Sequence, residues 1–278
     1  MKKPKYLGQK IGMQAFCIFL AILSILPFWL MVVNATRSAT AVQSSVSFIP
    51  STFLASNWAS LQEKDFDAFR GTLNSATISI CSTVLSVYFS TLTAYGISVY
   101  NFKGKKALFT LILGIIMIPG QLSMIGFYRF MLQLGLTNSY IPLILPAIAA
   151  PSTVFFMKQY FSGSLPLEIV EASRIDGAGE FFTFNVIALP IVKPAMATMA
   201  IFAMVSSWNN YIMPLILLSD TKKYTLPLMV QMLKGDIYKT EYGAQYLGIT
   251  LSILPLMVAY FALSKYIIQG VAMGSVKG

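Results

Sequence analysis

The sequence predicts an all-α protein that crosses a membrane with about six helices. Of its 278 residues, 56% are hydrophobic and 11% are charged, whereas an average soluble domain has about 25% charged residues. The mean hydropathy is +0.69. A spanning helix needs about 20 mostly apolar residues. The segments that meet this requirement are 12–34, 72–100, 107–129, 140–160, 184–208 and 246–268.

The first apolar segment is interpreted as an uncleaved span, although basic residues precede it as they do in a secretory signal. Ile11 to Val33 contains no charged residue, and this run is longer than the roughly 7 to 15 apolar residues of a signal peptide. Residues 1–11 then form a short N-terminal segment outside the bilayer.

The distribution of charge predicts the orientation of the chain. Six spans place both termini on the same side of the membrane, and cytoplasmic segments are usually enriched in Lys and Arg. With the termini inside, cytoplasmic segments hold twelve of the 20 basic residues and four of the 10 acidic residues. Both termini, including the tail 269–278, are therefore predicted to be cytoplasmic.

Composition also excludes several kinds of chemistry. The chain contains no histidine, so a Ser/His triad and an imidazole metal site are ruled out. Cys17 and Cys81 fall inside apolar runs and are interpreted as small packing residues. The net charge of +10 comes from residues at membrane flanks, a distribution that does not predict nucleic-acid binding. No phosphate-binding GxxxxGK[ST] sequence occurs.

Charged residues interrupt the apolar pattern between the fourth and fifth spans. On insertion scales each charge at the centre of a lipid-embedded helix costs about 2.5 to 3.5 kcal/mol, so this segment, approximately residues 164–183, must lie in water. The predicted topology places it in the cytoplasm. Its charged residues are Glu168, Glu171, Arg174, Asp176 and Glu180.

This loop is predicted to contain an amphipathic helix of about 12 residues, or 18 Å. Pro166 suits the first helical turn, and Ser164 stands just ahead of it as a capping residue. Gly177 is placed to end the helix in the left-handed conformation. The helix carries an apolar strip at three-residue spacing, formed by Ile169, Ala172 and Ile175. So short a helix needs a surface to dock on, and spacing leaves open whether that surface belongs to this chain or to a cytosolic partner.

The segment resembles the EAA loop of ABC importer permeases. That motif begins with Glu, Ala and a small residue, then has three variable positions and a Gly. Nine variable positions later come an Ile, one variable position, and Leu-Pro. The matching residues here are Glu171, Ala172, Ser173, Gly177, Ile187, Leu189 and Pro190. Ser173 replaces the commoner second Ala, a change between small residues that should leave the docking surface intact.

The resemblance extends over most of the chain and is closest to binding-protein-dependent carbohydrate importers, in particular to permeases similar to the smaller permease of the maltose transporter. The stretches that carry it are 175–202, 207–218, 224–228 and the tail 269–278. Members often have an acidic residue where this chain has Asn210, so a role that depends on that charge is not expected here.

The resemblance implies a type I importer permease that is not itself an enzyme. It implies a multi-pass protein of the bacterial cell membrane that works with a second permease, an ATPase dimer and an extracellular solute-binding protein. It also implies alternating access of a shared cavity to a carbohydrate, in particular an oligosaccharide. ATP and Mg would bind the ATPase, so no cofactor or metal is expected in this chain. The tail would reach the ATPase, and the residues expected to couple to it are Glu171, Ala172, Ser173, Arg174, Asp176 and Gly177.

A sugar cavity should offer aromatic faces and neutral hydrogen-bonding groups, because sugar hydroxyls need partners once they leave water. The candidates at the end of the fifth span are Trp208, Asn209, Asn210 and Tyr211, with Tyr128 as a further candidate and Tyr88 and Gln121 as weaker ones. An ordinary aromatic belt at the membrane interface would also explain the first group.

Other classes of protein remain as alternatives. An ion-coupled secondary transporter typically uses acidic residues within the membrane, whereas the six predicted spans contain none; sodium sites made of carbonyl groups would still be compatible with the sequence. A channel gives no reason for the EAA spacing, and an intramembrane enzyme lacks a suitable catalytic pair. An ABC importer for a solute other than a sugar is the remaining alternative.

Overall fold

A computed structural model describes residues 5–234 and 241–275, with side chains described for residues 9–234 and 241–261. This part of the chain is helical and contains no assigned strand, which confirms the all-α prediction. Residues 1–4 of the predicted N-terminal segment, residues 235–240 ahead of the last predicted span, and residues 276–278 of the predicted tail lie outside the described residues. The helices are α1 (Lys5–Asn34), α2 (Ala39–Ser44), α3 (Leu54–Glu63), α4 (Ala68–Val99), α5 (Lys105–Ile116), α6 (Met124–Gln133), α7 (Ile141–Ile144), α8 (Pro151–Ser164), α9 (Leu167–Ile175), α10 (Glu180–Phe182), α11 (Leu189–Asn209), α12 (Ile212–Leu217), α13 (Leu226–Met232) and α14 (Tyr242–Ser275).

The long apolar helices agree with the prediction of about six spans. Within the described residues, five helical stretches are long and apolar enough to cross a membrane, and a bent helix pair would make a sixth. The five stretches are Gln9–Asn34, Ala68–Val99, Ile141–Ser164, Glu180–Asn209 and Tyr242–Phe261. Each of these stretches overlaps one of the predicted spans.

The third predicted span is two helices rather than one. Lys105–Ile116 and Gly120–Gln133 meet at an angle of 90°. Pro119 lies at the break with extended backbone, φ −60° and ψ 121°. A proline has no N–H for the helical ladder and disfavours a helical residue before it. The single continuous helix expected over 107–129 is therefore interrupted.

The chain divides into two compact units, 1–68 with 229–254 and 69–228 with 255–278. In the first unit, α3 packs against the backbone that follows α1. Asn57 of α3 donates to the carbonyl oxygens of Ala35 at 2.8 Å and Arg37 at 3.0 Å. A Cβ at Gly243 would lie 2.3 Å from the carbonyl oxygen of Arg37. This close approach explains why a glycine stands at the start of α14.

The second unit is built around α4. Its core includes Tyr95 on α4, Met157 and Phe161 on α8, and Val192 on α11, each at most 2% exposed. Val170 of α9 belongs to the same core and is 1% exposed. The short helix α9 is therefore anchored directly in the packing of three long helices.

Candidate functional site

Helix α9, Leu167–Ile175, occupies the loop that the sequence singles out. It has 9 residues, fewer than the predicted 12, and it begins differently from the prediction. Ser164 is the last residue of α8, and Pro166 stands at the N-cap of α9 with φ −64° and ψ 127° and no side-chain cap. The expected Ser164 cap is therefore wrong: Leu165 and Pro166 form a tight connection whose fixed proline φ starts the new helix.

The two faces of α9 have opposite environments. Val170 is 1% exposed and Ser173 is 5% exposed, and both pack against this chain. The predicted apolar strip points away: Ile169 is 40% exposed and Ile175 is 86% exposed. Glu171 is also exposed. The helix thus packs against its own chain with one face and leaves an apolar strip and a carboxylate uncovered on the other.

The C-terminus of α9 is a Schellman motif centred on Gly177. The N–H of Ala178 donates to the carbonyl of Ser173, and the N–H of Gly177 donates to that of Arg174, both at 3.0 Å. Gly177 has φ +80°, a conformation in which a Cβ is strained and which glycine adopts freely. The predicted left-handed residue is present at this position.

Two side chains of α9 are engaged within the chain. The hydroxyl of Ser173 is hydrogen-bonded to that of Thr183 at 2.7 Å in a buried position. Arg174 donates through Nε to Glu180 Oε1 at 2.7 Å and through Nη2 to Oε2 at 3.2 Å. Hydrogen bonding to the Glu180 carboxylate raises the pKa of Arg174. Ser173 therefore contributes to internal packing. Because it is buried, a serine here in place of the commoner alanine of the motif leaves the exposed face of α9 unchanged.

The remainder of the motif lies in an irregular helical turn. Residues Thr183–Ala188 form a π-helical segment, and Pro190 follows in the first turn of α11. Such π-bulges are rare and often occur at functional sites. The stretch from α9 to α11 therefore combines a short helix, a glycine turn and a π-bulge within about 25 residues.

Two adjoining cavities lie within the second unit. The larger has a volume of about 670 Å³, and the smaller has a volume of about 370 Å³. Both are lined by Leu143, Ser207 and Asn210, which makes them neighbours. None of the residues that line either cavity carries a formal charge.

The structure brings together two of the predicted cavity residues. Trp208, which is 3% exposed, and Asn210 both line the larger cavity. Asn209, Tyr211 and Tyr128 line neither of these two cavities.

The weaker candidates also lie elsewhere. Gln121 is exposed in the 3₁₀ turn before α6 and lines neither cavity. Tyr88 donates to Asn185 Oδ1 at 3.2 Å beside the π-bulge, away from the lining of both cavities.

The smaller cavity is lined by polar residues that were not among the predicted candidates. Ser82 and Ser86 on α4 and Ser206 on α11 contribute hydroxyl groups to it, together with Ser152 and Thr153 on α8. The signal was present in the sequence, because the serines of α4 recur every three or four residues on one helical face: Ser75, Ser79, Ser82, Ser86 and Ser90. All five serines are buried, so this polar face of α4 packs against the rest of the protein.

The larger cavity adds an unpaired hydroxyl. Thr225 lines it, is 3% exposed, and its Oγ1 has no hydrogen-bond partner in the structure. A buried hydroxyl without a partner costs about 1 to 3 kcal/mol. Within the described residues no cluster of His, Cys, Asp or Glu could hold a metal ion.

The fold of this chain is also found in a solved structure. A crystal structure of a bacterial ABC transporter involved in the import of the acidic polysaccharide alginate contains a chain that superposes with a TM-score of 0.77 at 20% identity. The match covers 96% of this chain and 99% of the other. The two chains therefore share one fold over nearly their whole length.

The chain belongs to the binding-protein-dependent transport system inner membrane component family, whose model matches residues 86–273. It is 35% identical over 263 residues to the arabinooligosaccharides transport system permease protein AraQ of Halalkalibacterium halodurans, a match that covers 94% of each chain. The lactose transport system permease protein LacG of Rhizobium radiobacter is 33% identical over 258 residues, 92% of each chain. This protein is therefore a multi-pass membrane component of a transport system.

Proposed function

We propose that this chain is one of two permeases of an ATP-driven importer for a neutral oligosaccharide. In this proposal an external binding protein delivers the sugar to a cavity shared with the second permease, and ATP and Mg bind a separate ATPase dimer. The observation that carries the proposal is α9, which presents Glu171 and an exposed apolar strip while Val170 fixes its inner face in the core. Such a helix is suited to a cleft on a cytosolic subunit.

The mechanism follows from how α9 is held. Its inner face packs with the core formed by α4, α8 and α11, so force applied to its exposed face passes to those helices. Closure of the ATPase dimer on ATP would displace α9 and switch the cavity from inward to outward access. The Schellman turn at Gly177 lets the chain reverse sharply after the docking face.

The lining of the two cavities supports a neutral sugar as the substrate. Trp208 offers an aromatic face, while Ser86, Ser206 and Asn210 offer neutral donors and acceptors. Sugar hydroxyls require such partners when they leave water. No lysine or arginine lines either cavity, so an acidic sugar would find no counter-charge in these two cavities. The relatives named for arabinooligosaccharides and lactose fit the same class of substrate.

Removing hydroxyl groups from the smaller cavity should slow transport. The variant Ser86→Ala with Ser206→Ala removes two groups that line it. Each neutral hydrogen bond contributes about 0.5 to 1.5 kcal/mol, so we expect the loss of two to lower uptake by about fivefold to 150-fold. The measurement is ATP-dependent uptake of labelled oligosaccharide into proteoliposomes that contain both permeases and the ATPase, with saturating binding protein.

The matched control for this prediction is Ser79→Ala. Ser79 lies on the same face of α4 and is fully buried, but its hydroxyl donates to the carbonyl of Ala76 in its own helix and lines neither cavity. Its uptake should stay near that of the wild type. Unchanged uptake by the double variant would remove the smaller cavity from the substrate path.

A further inference from the structure

A three-residue contact joins the end of α9 to the end of α4. The hydroxyl of Tyr100, one residue beyond α4, donates to Glu180 Oε2 at 2.5 Å. Glu180 also accepts both hydrogen bonds from Arg174. The guanidinium carbon of Arg174 lies 5.4 Å from the centre of the Tyr100 ring, within the range of a cation–π interaction. Each member therefore contacts the other two, and we call this group the brace.

The brace spans the glycine turn that ends the docking helix. Arg174 precedes Gly177 and Glu180 follows it, as the first residue of α10 and of the apolar stretch that runs to Asn209. Gly179 is the N-cap of that stretch, so the Glu180 carboxylate is at the helix end where negative charge is favoured. Three separate segments of the chain are thus held at one carboxylate.

The brace differs from an isolated surface ion pair. The side chains of Arg174 and Glu180 are 37% and 47% exposed, and a single pair this exposed contributes little. Here the carboxylate receives a bidentate guanidinium and a phenol at once, an arrangement that fixes geometry as well as charge. Burial, and then the hydrogen bond to Glu180, raise the pKa of Tyr100 to about 12. The phenol therefore keeps its proton and remains a donor at physiological pH.

An aromatic cluster continues from the brace into the hydrophobic core of the second unit. The ring of Tyr100 contacts that of Tyr95 edge to face at 6.0 Å between centroids. Tyr95 in turn contacts Phe161 of α8 at 5.9 Å and Phe184 of the π-bulge at 5.2 Å. A displacement of the Arg174 end of α9 would therefore meet packed rings on α4, on α8 and in the π-helical segment.

We propose that Glu180 is a positioning residue for energy coupling, which holds the end of α9 against the end of α4 through Arg174 and Tyr100. Movement of α9 then reaches α4 and the helix that begins at Glu180 together. This inference rests on the proposed docking of α9 to an ATPase. Without the brace, the turn at Gly177 would absorb part of the motion, and ATP hydrolysis would respond less to loaded binding protein.

The test compares Glu180→Gln and Tyr100→Phe in the reconstituted importer. We expect each variant to lower the ATP hydrolysis stimulated by loaded binding protein by about threefold to tenfold, since each weakens a hydrogen bond to a charged group. The number of ATP molecules hydrolysed per sugar transported should rise, whereas assembly of the complex and its thermal midpoint should change little. The double variant should be little worse than either single variant, because both act on one contact.

Tyr160→Phe is the matched control. Tyr160 is a half-buried tyrosine of α8 that packs against the same core, and its hydroxyl takes no part in the brace, so stimulation should be retained. Wild-type stimulation in both Glu180→Gln and Tyr100→Phe, or additive losses in the double variant, would overturn the brace. If Glu180→Gln fails to insert, Tyr100→Phe decides alone. A Glu171→Lys variant measured in parallel separates the two proposals, because normal coupling there would instead overturn the docking of α9.

Discussion

Replacing Glu171 with lysine is expected to abolish the stimulation of ATP hydrolysis by loaded binding protein. Glu171 is exposed on the outer face of α9, and in the proposed docked complex we expect it to pair with a basic residue of the ATPase. Reversing one charge of a pair that becomes desolvated on binding costs about 2 to 5 kcal/mol. The variant should still insert in the membrane, since the inner face of α9 is unchanged. Hydrolysis would be measured in the reconstituted complex with and without binding protein.

Glu63→Lys is the control for this charge reversal. Glu63 is an exposed residue at the end of α3, and it lies in the loop that the sequence predicts to be outside. The same change of charge there should leave stimulation near the wild-type value. Normal coupled hydrolysis in Glu171→Lys would refute the assignment of α9 as the docking helix.

Replacing Gly177 with valine is expected to weaken association with the ATPase strongly. At φ +80° a residue with a Cβ is strained by about 1 to 2 kcal/mol, and a β-branched residue by more. A Cβ at this position would meet no atom within 4 Å, so the effect arises from the backbone rather than from a clash. The measurement is the fraction of ATPase that co-purifies with the permease.

Two substitutions separate backbone strain from simple bulk. Gly179 lies two residues on at φ −70° and ψ 154° and is equally open, so Gly179→Val should be tolerated. Gly177→Asn should also be nearly neutral, because asparagine adopts the left-handed conformation more readily than other residues. Stoichiometric co-purification and normal transport by Gly177→Val would show that the turn is not required.

Local chemistry explains why the short helix α9 and its glycine turn could be predicted from the sequence. Five charges cannot lie in lipid, and a glycine at the end of a short apolar periodicity predicts a left-handed C′ residue. Gly177 has that conformation. The start of the helix was less predictable, because Ser164 is compatible both with ending α8 and with capping α9. The packing of Leu165, which is 8% exposed, favours a Ser164 that ends α8.

Contacts between distant residues account for most of what the sequence could not predict. Which face of α9 is buried depends on the position of Val170 against the core, and the apolar strip alone leaves this open. The brace joins Tyr100 to Glu180, 80 positions apart. Neither residue has a local pattern that indicates the other.

The cavity residues also divide into those that the sequence predicts and those that it does not. The aromatic and amide cluster at the end of the fifth span pointed to Trp208 and Asn210, which do line a cavity. Its neighbours Asn209 and Tyr211 do not line the two cavities, because the helix ends at Asn209 and successive residues then face different directions. The serine face of α4 could have been found from its helical spacing.

Cross-linking of α9 to the ATPase tests the central claim most directly. After Cys17→Ala and Cys81→Ala, single cysteines would be introduced as Ile175→Cys, at a position that is 86% exposed, and as Ser173→Cys, at a position that is 5% exposed. A thiol-to-amine cross-linker would then be applied to the assembled complex. The account predicts a product between the permease and the ATPase from position 175 and little or none from position 173. Absence of the product at 175, or equal products at both positions, would contradict it.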